Sequence, residues 1–150
     1  MKTVLALTLF LNLLTAPRFA PLWQTNMEQA KVDAKAGHKL ILLYFSGSDW
    51  CGPCIKLKKE IYESEAFTTY ADKHLVLLRA DFPRAKKNQL SPEQTAHNES
   101  LAERYNPDGQ FPLTVLLDAD GKVLRNWSGY PASLTLQSLV NDIDAAPTAH

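Results

Sequence analysis

The two cysteines of this chain, Cys51 and Cys54, stand three positions apart in the stretch "SGSDWCGPCIKL". Two thiols at that spacing can act as a structural staple, as half of a metal centre, or as a dithiol that interconverts with its disulfide. A bridge over two intervening residues closes so short a loop that it removes little entropy from the unfolded chain, which argues against the staple. A closed structural zinc site takes four ligands, and the histidines available to complete one, His38, His74, His97 and His150, include no pair at H-x₃₋₅-H spacing. The weight of the argument falls on redox chemistry, with a metal carrier using Cys51, Cys54 and His97 as a rival.

Redox chemistry needs one sulfur that is a ready nucleophile and one that resolves. The run "KLILLYFSG" is apolar from Leu40 to Phe45 and closed by Gly47, the pattern of a strand buried on both faces. From Ile55 onward the pattern is helical, so the cysteines lie at a strand-to-helix junction. There, unpaired N–H groups and the positive end of the helix dipole favour the thiolate of Cys51. Cys54, one turn into the helix, is less accessible and suited to attack a mixed disulfide from within. Gly52 leaves room for a client backbone to approach, and Pro53 fits the first helical turn without losing a hydrogen bond.

The remaining elements form a frame around this junction. A helix is predicted from a Thr25/Glu28 capping box to a stop at Gly37, and from Ile55 onward Ile55, Leu57, Ile61, Tyr62 and Phe67 lie in a helical, lysine- and glutamate-rich setting. "HLVLLRADF" gives a second buried strand, Leu75 to about Ala80. The polar segment from Pro83 to Asn98 reads as a surface excursion, within which Ser91 and Pro92 start a helix towards Tyr105. Two strands, "PLTVLLD" and "KVLRNWSG", are joined at Asp120-Gly121 as a hairpin, and a last helix spans about Ser133 to Asp144. Parallel crossovers come first and a hairpin last, an α/β arrangement without internal repeats.

Trp50-Cys51-Gly52-Pro53-Cys54 resembles the active-site motif of the thioredoxin superfamily, and "QFPLTVLLDADGKV" resembles that family's cis-proline segment. The resemblance, from about Asn26 to Ile143, implies a thioredoxin-like three-layer fold: a central mixed sheet of about four strands flanked by helices. It places a cis Pro112 next to the helix start that carries the cysteines, with the backbone of Phe111 pairing to an extended client segment. Trp50 is implied to shield and orient the sulfurs; Trp23 and Trp127 are read as packing residues and Tyr130 as a turn residue. More narrowly, the chain is similar to exported single-domain thioredoxin-like proteins of bacteria, which share the "SGSDWCGPC" approach, the "DFP" after the second strand and a polar insertion.

Two departures from the family pattern stand out. The buried acid that assists the resolving cysteine in thioredoxins is replaced at its aligned position by Tyr44, and the nearby Asp49 reads as a solvated or capping residue. The insertion at about 83–98 lengthens a connection that is usually short. The activity implied is thiol–disulfide exchange, with Cys51 as nucleophile and Cys54 as resolving cysteine. The Gly-Pro dipeptide, shared with thioredoxin, favours the reductase direction. A disulfide oxidant or isomerase, and a redox-inactive binding or chaperone module, are the alternatives. Expected partners are disulfide-bearing proteins and a membrane electron donor, with no cofactor beyond the cysteine pair, no metal and a monomeric state.

Composition bounds the rest. With 16 Lys and Arg against 16 Asp and Glu there is no global field to recruit nucleic acid or anionic lipid, and the short basic run Arg84, Lys86, Lys87 reads as a solvated loop. Residues 1–20 have the layout of a secretory signal: Lys2, an apolar stretch from Val4 to Leu14, then Ala16 and Ala20. The expectation is export to the periplasm or beyond, with the leader either cleaved or kept as an anchor. One domain then spans 21–150. Removing residues 1–20 would take away Lys2 and Arg18 and leave a net charge of 16 − 2 − 16 = −2.

Overall fold

Four strands make one mixed sheet in the order β2-β1-β3-β4: β1 Leu40–Ser46, β2 Leu75–Asp81, β3 Leu113–Leu117 and β4 Val123–Ser128. This computed structural model describes residues 22–147. The leader read at residues 1–20, and His150, lie outside them. β1 runs parallel to β2, with Leu40 opposite Leu75 and Ser46 opposite Asp81, and antiparallel to β3, with Tyr44 opposite Thr114. A strand in that central position needs apolar residues on both faces, which accounts for the unbroken apolar run that announced it.

Alternate residues of β1 feed two separate cores. Leu42 and Tyr44 face one, with Leu57, Phe67, Leu139, Ile143 and both cysteines. Ile41, Leu43 and Phe45 face the other, with Met27, Ala30, Ala34, Leu101 and Tyr105. Helices α2 Gly52–Leu57, α3 Glu65–His74 and α5 Leu136–Asp144 therefore cover one face, and α1 Met27–Gly37 and α4 Pro92–Tyr105 cover the other. The result is the expected three-layer α/β arrangement with a mixed four-stranded sheet.

Several boundaries differ from expectation, each for a local reason. Asn26, not Thr25, caps α1 by accepting from Gln29 N at 3.0 Å, and the left-handed residue after the helix is His38 (φ 51°), one beyond Gly37. The helical stretch expected from Ile55 onward comprises two helices. After α2 the chain widens into a π-helical turn, Lys58–Tyr62, and stops; Ser64 then caps α3 by accepting from Phe67 N. α5 starts at Leu136 because Thr135 and Ser138 form a reciprocal capping box. In the hairpin, Gly121 (φ 85°) takes the left-handed turn position, while the Asp118 carboxylate accepts from Asp120 N and Lys122 N, each at 2.9 Å.

Within the 83–98 segment the helix starts where expected, with Ser91 capping α4 by accepting from Gln94 N. Residues 92–98 already belong to α4, where Asn98 is buried and donates from Nδ2 to Asp81 O at 2.9 Å. Only the stretch before Ser91, with a single 3₁₀ turn at Lys86–Asn88, is loop. Buried polar groups must find partners, so this bond fixes α4 against the end of β2.

Candidate active site

At the end of β1 the chain turns sharply. Gly47 O accepts from Trp50 N and Cys51 N, and α2 begins at Gly52 with Pro53 in its first turn. Cys51 is the residue that caps this helix. Its Sγ accepts from Cys54 N at 3.3 Å, so a helix-start N–H is aimed at the sulfur. Cys51 and Cys54 are joined as a disulfide, with Cα atoms 5.2 Å apart. Both are buried, Cys51 at 4% exposure and Cys54 at 1%. Gly52 faces open space: a Cβ placed there would meet no atom within 4 Å.

Trp50, immediately before the pair, is held on three sides. Its Nε1 donates to Phe82 O at 2.7 Å, its ring meets Phe111 at 5.4 Å between centroids, and the Arg84 guanidinium lies over it at 3.8 Å. Phe111 also contacts Phe82 and packs on the core that includes both cysteines. The Phe111–Pro112 peptide bond is cis, and Pro112 O accepts from Gly129 N at 2.8 Å just before β3 begins. The sequence-predicted residues Trp50, Cys51, Gly52, Pro53, Cys54 and Phe111 are thus brought together on one side of the sheet end. Gly47 makes this packing feasible, because a Cβ at that position would fall 2.3 Å from the Trp50 ring.

Tyr44 stands where a proton-handling acid was sought, and it does something else. Its hydroxyl donates to Cys54 O at 2.9 Å, and burial pushes its ionisation well above the ordinary tyrosine value. It remains a neutral donor locked to the backbone of the resolving residue, within an aromatic group formed with Tyr62 and Trp23. Tyr62 in turn shares a 2.6 Å hydroxyl contact with Thr114 on β3. Trp23 packs as read. Trp127 does so with a polar addition, Nε1 donating to Asp142 at 3.0 Å.

Sequence reasoning missed the clamp behind the motif. Ser46 Oγ, Ser48 N and Ser48 Oγ all donate to the Asp81 carboxylate, at 2.8, 2.9 and 2.6 Å, tying the motif's approach to the end of β2. Asp49 accepts from Arg84 N, Ala85 N and Asn88 Nδ2, each at 2.9 Å, and so caps the loop from outside. Those bonds, that from Arg84 N foremost, hold its carboxyl below the usual carboxylate range. These partners are more than 30 positions apart in sequence, beyond the reach of any local pattern. Only "DFP" hinted at a role for residues 81–83. His97, the third ligand of the metal-carrier rival, accepts at Nε2 from Met27 N at the start of α1. Among the described residues no cluster of His, Cys, Asp or Glu could hold a metal ion.

The arrangement can support a nucleophilic sulfur at a helix start, a second sulfur enclosed behind it, and an aromatic wall beside both. Comparison with known proteins agrees with that geometry. The chain is 41% identical over 102 residues to the disulfide bond reductase DsbH of Chlamydia pneumoniae, a match covering 68% of this chain and 59% of that protein. It is 33% identical over 95 residues to the thioredoxin-related protein DsbJ of the same organism, covering 63% of this chain and 26% of the relative. The matches thus span less than two thirds of both relatives. Among solved structures, a DsbH oxidoreductase superposes with a TM-score of 0.71 at 31% identity, covering 88% of this chain and 93% of that one. A profile of the thioredoxin-like domain matches residues 27–143, and the chain belongs to that family.

Proposed function

We propose that this protein is a disulfide reductase for exported proteins, working through the Cys51/Cys54 dithiol. The observation that carries the reading is the capping position of Cys51: its sulfur receives the Cys54 N–H at the start of α2 while Cys54 itself is enclosed. In the reduced protein the Cys51 thiolate attacks one sulfur of a client disulfide. A Cys51–client disulfide forms, the client disulfide breaks, and the first client thiolate leaves and takes up a proton. Cys54 then loses its proton and attacks Cys51 Sγ, forming the intramolecular disulfide and releasing the second client thiolate. The client gains two electrons and the cysteine pair loses them, so each turnover requires a two-electron thiol donor; in an exported setting that is a membrane donor.

Trp50 and Phe111 would form the wall against which the client segment lies, with the Phe111 backbone beside Pro112 as its pairing edge and open Gly52 as the approach. Tyr44 offers no acid, so the proton of Cys54 would pass to water or to a glutamate side chain. The reductase direction is supported by the Gly-Pro dipeptide and by the similarity to DsbH, a disulfide bond reductase.

The test is to equilibrate the purified protein with thiol redox buffers and to assay insulin reduction beside Cys51→Ser. A potential near that of thioredoxin, about −270 mV, with activity abolished by C51S, is expected. A potential above about −200 mV would overturn the reductase direction in favour of an oxidant or isomerase. Activity that survives C51S would overturn the mechanism.

A further inference from the structure

The loop between β2 and α4 carries Arg84, Lys86 and Lys87, all exposed, and among the described residues none of the three forms an ion pair. Unpaired cations on a mobile surface loop would be unremarkable, but this loop is tied down. Asp49 fixes its backbone at Arg84 and Ala85 and its side chain at Asn88, and the Phe82 carbonyl is held by Trp50 Nε1. The same bonds determine where Arg84 goes: its guanidinium lies 3.8 Å from the centre of the Trp50 ring, one residue from Cys51. An arginine stacked on an indole has most of its donors still free and little freedom left to lose on binding.

The Asp49 carboxylate is occupied by two backbone N–H groups and the Asn88 amide. The Asp81 carboxylate is likewise occupied by Ser46 and Ser48. Asp49 serves the loop's geometry and Asp81 that of the turn before the motif, and the three cationic side chains remain exposed.

We infer that residues 82–89 form a client-reading element in which Arg84, stacked on Trp50, selects client segments carrying an acidic side chain next to the cysteine under attack. This rests on the thiol–disulfide exchange proposed above and adds to it a chemical class of client. Lys86 and Lys87 extend the same field and steer acidic segments towards it; Arg84 supplies the directional contact. Asp49 acts through Arg84 and is a positioning residue.

The experiment uses two disulfide peptides of equal length and sequence, except that the residues flanking one cysteine are glutamate in one and lysine in the other. Second-order rates of reduction by the reduced protein are measured at low and high ionic strength. The wild type is expected to reduce the acidic peptide about fivefold faster at low salt, with the ratio approaching one at about 0.5 M salt, as for an exposed contact of about 1 kcal/mol. Arg84→Gln should bring the ratio close to that of the high-salt wild type, Arg84→Lys should retain part of it, and Arg84→Glu should invert it. Inversion is a readout that loop damage alone would not produce. Equal rates for both peptides in the wild type, or a ratio unmoved by R84Q and R84E, would overturn the inference while leaving exchange chemistry intact. No reduction of either peptide by wild type would sink the underlying reading as well.

Discussion

Single residues around the cysteines carry roles that their chemical type alone does not announce. Tyr44 and Asp49 are the clearest pair. The expectation of an acid near Cys54 rested on resemblance, and the sequence already displayed the substitution by tyrosine. What it could not display was that the hydroxyl would close on Cys54 O, because that depends on strand and helix packing across ten residues. Asp49 was legible as a capping residue in type but not in target, since its partners lie at 84, 85 and 88. Its carboxyl is held below the ordinary range chiefly by the Arg84 N–H, so its contribution to loop order is fully present above the unfolded carboxylate value of about 3.9. That contribution is lost as pH falls through the lower folded value. We therefore expect the backbone amide resonances of Arg84 and Ala85 to titrate together with a midpoint below about pH 3.9. Asp49→Asn should abolish that titration. Amides that move independently, or with a midpoint above an ordinary carboxylate, would separate Asp49 from the loop.

At the scale of elements, strands were readable because continuous apolar runs such as Leu40–Phe45 have few alternative fates, whereas helix limits were decided by caps. Ser64 ended an apparently continuous helical pattern because its hydroxyl captures Phe67 N, a gain the apolar spacing of Ile61, Tyr62 and Phe67 does not encode. The junction between β1 and α2 shows the same logic in three dimensions. Its turn is compatible with the Trp50 ring only without a side chain at position 47, where a Cβ would lie 2.3 Å from the indole. Gly47→Ala must push the ring off Phe82 O and away from Phe111, losing a hydrogen bond and aromatic packing together. The expected cost is about 1–3 kcal/mol, read as a lower urea midpoint with an unchanged slope. Loss of the Trp50 indole N–H signal from slow solvent exchange should accompany it. An alanine variant with wild-type midpoint and a protected indole would show that the turn has room the structure denies.

For the whole molecule, the question is how far the fold depends on the bond between its two cysteines. The cores on both faces of the sheet are built from residues on α1 to α5 and on β1, β2 and β3, with Leu124 and Trp127 of β4 packed against the first, and β1 alone sends Leu42 and Tyr44 to one and Ile41, Leu43 and Phe45 to the other. The cysteines belong to the first core as two small buried side chains, and they contribute area there in either redox state. What oxidation adds is the closure of a loop of about four residues, worth at most about 2 kcal/mol on the chain-entropy scale. A two-core domain of this size should remain cooperatively folded without that term. Urea unfolding of the oxidised and fully reduced protein should give single transitions of equal slope, with midpoints separated by no more than about 2 kcal/mol in free energy. A redox centre must cycle without unfolding its host, so this small gap is a functional requirement as well as a consequence of loop length. A reduced protein that melts non-cooperatively, or loses more than about 4 kcal/mol, would make the pair a staple after all and would remove the physical basis for reading it as a centre that turns over.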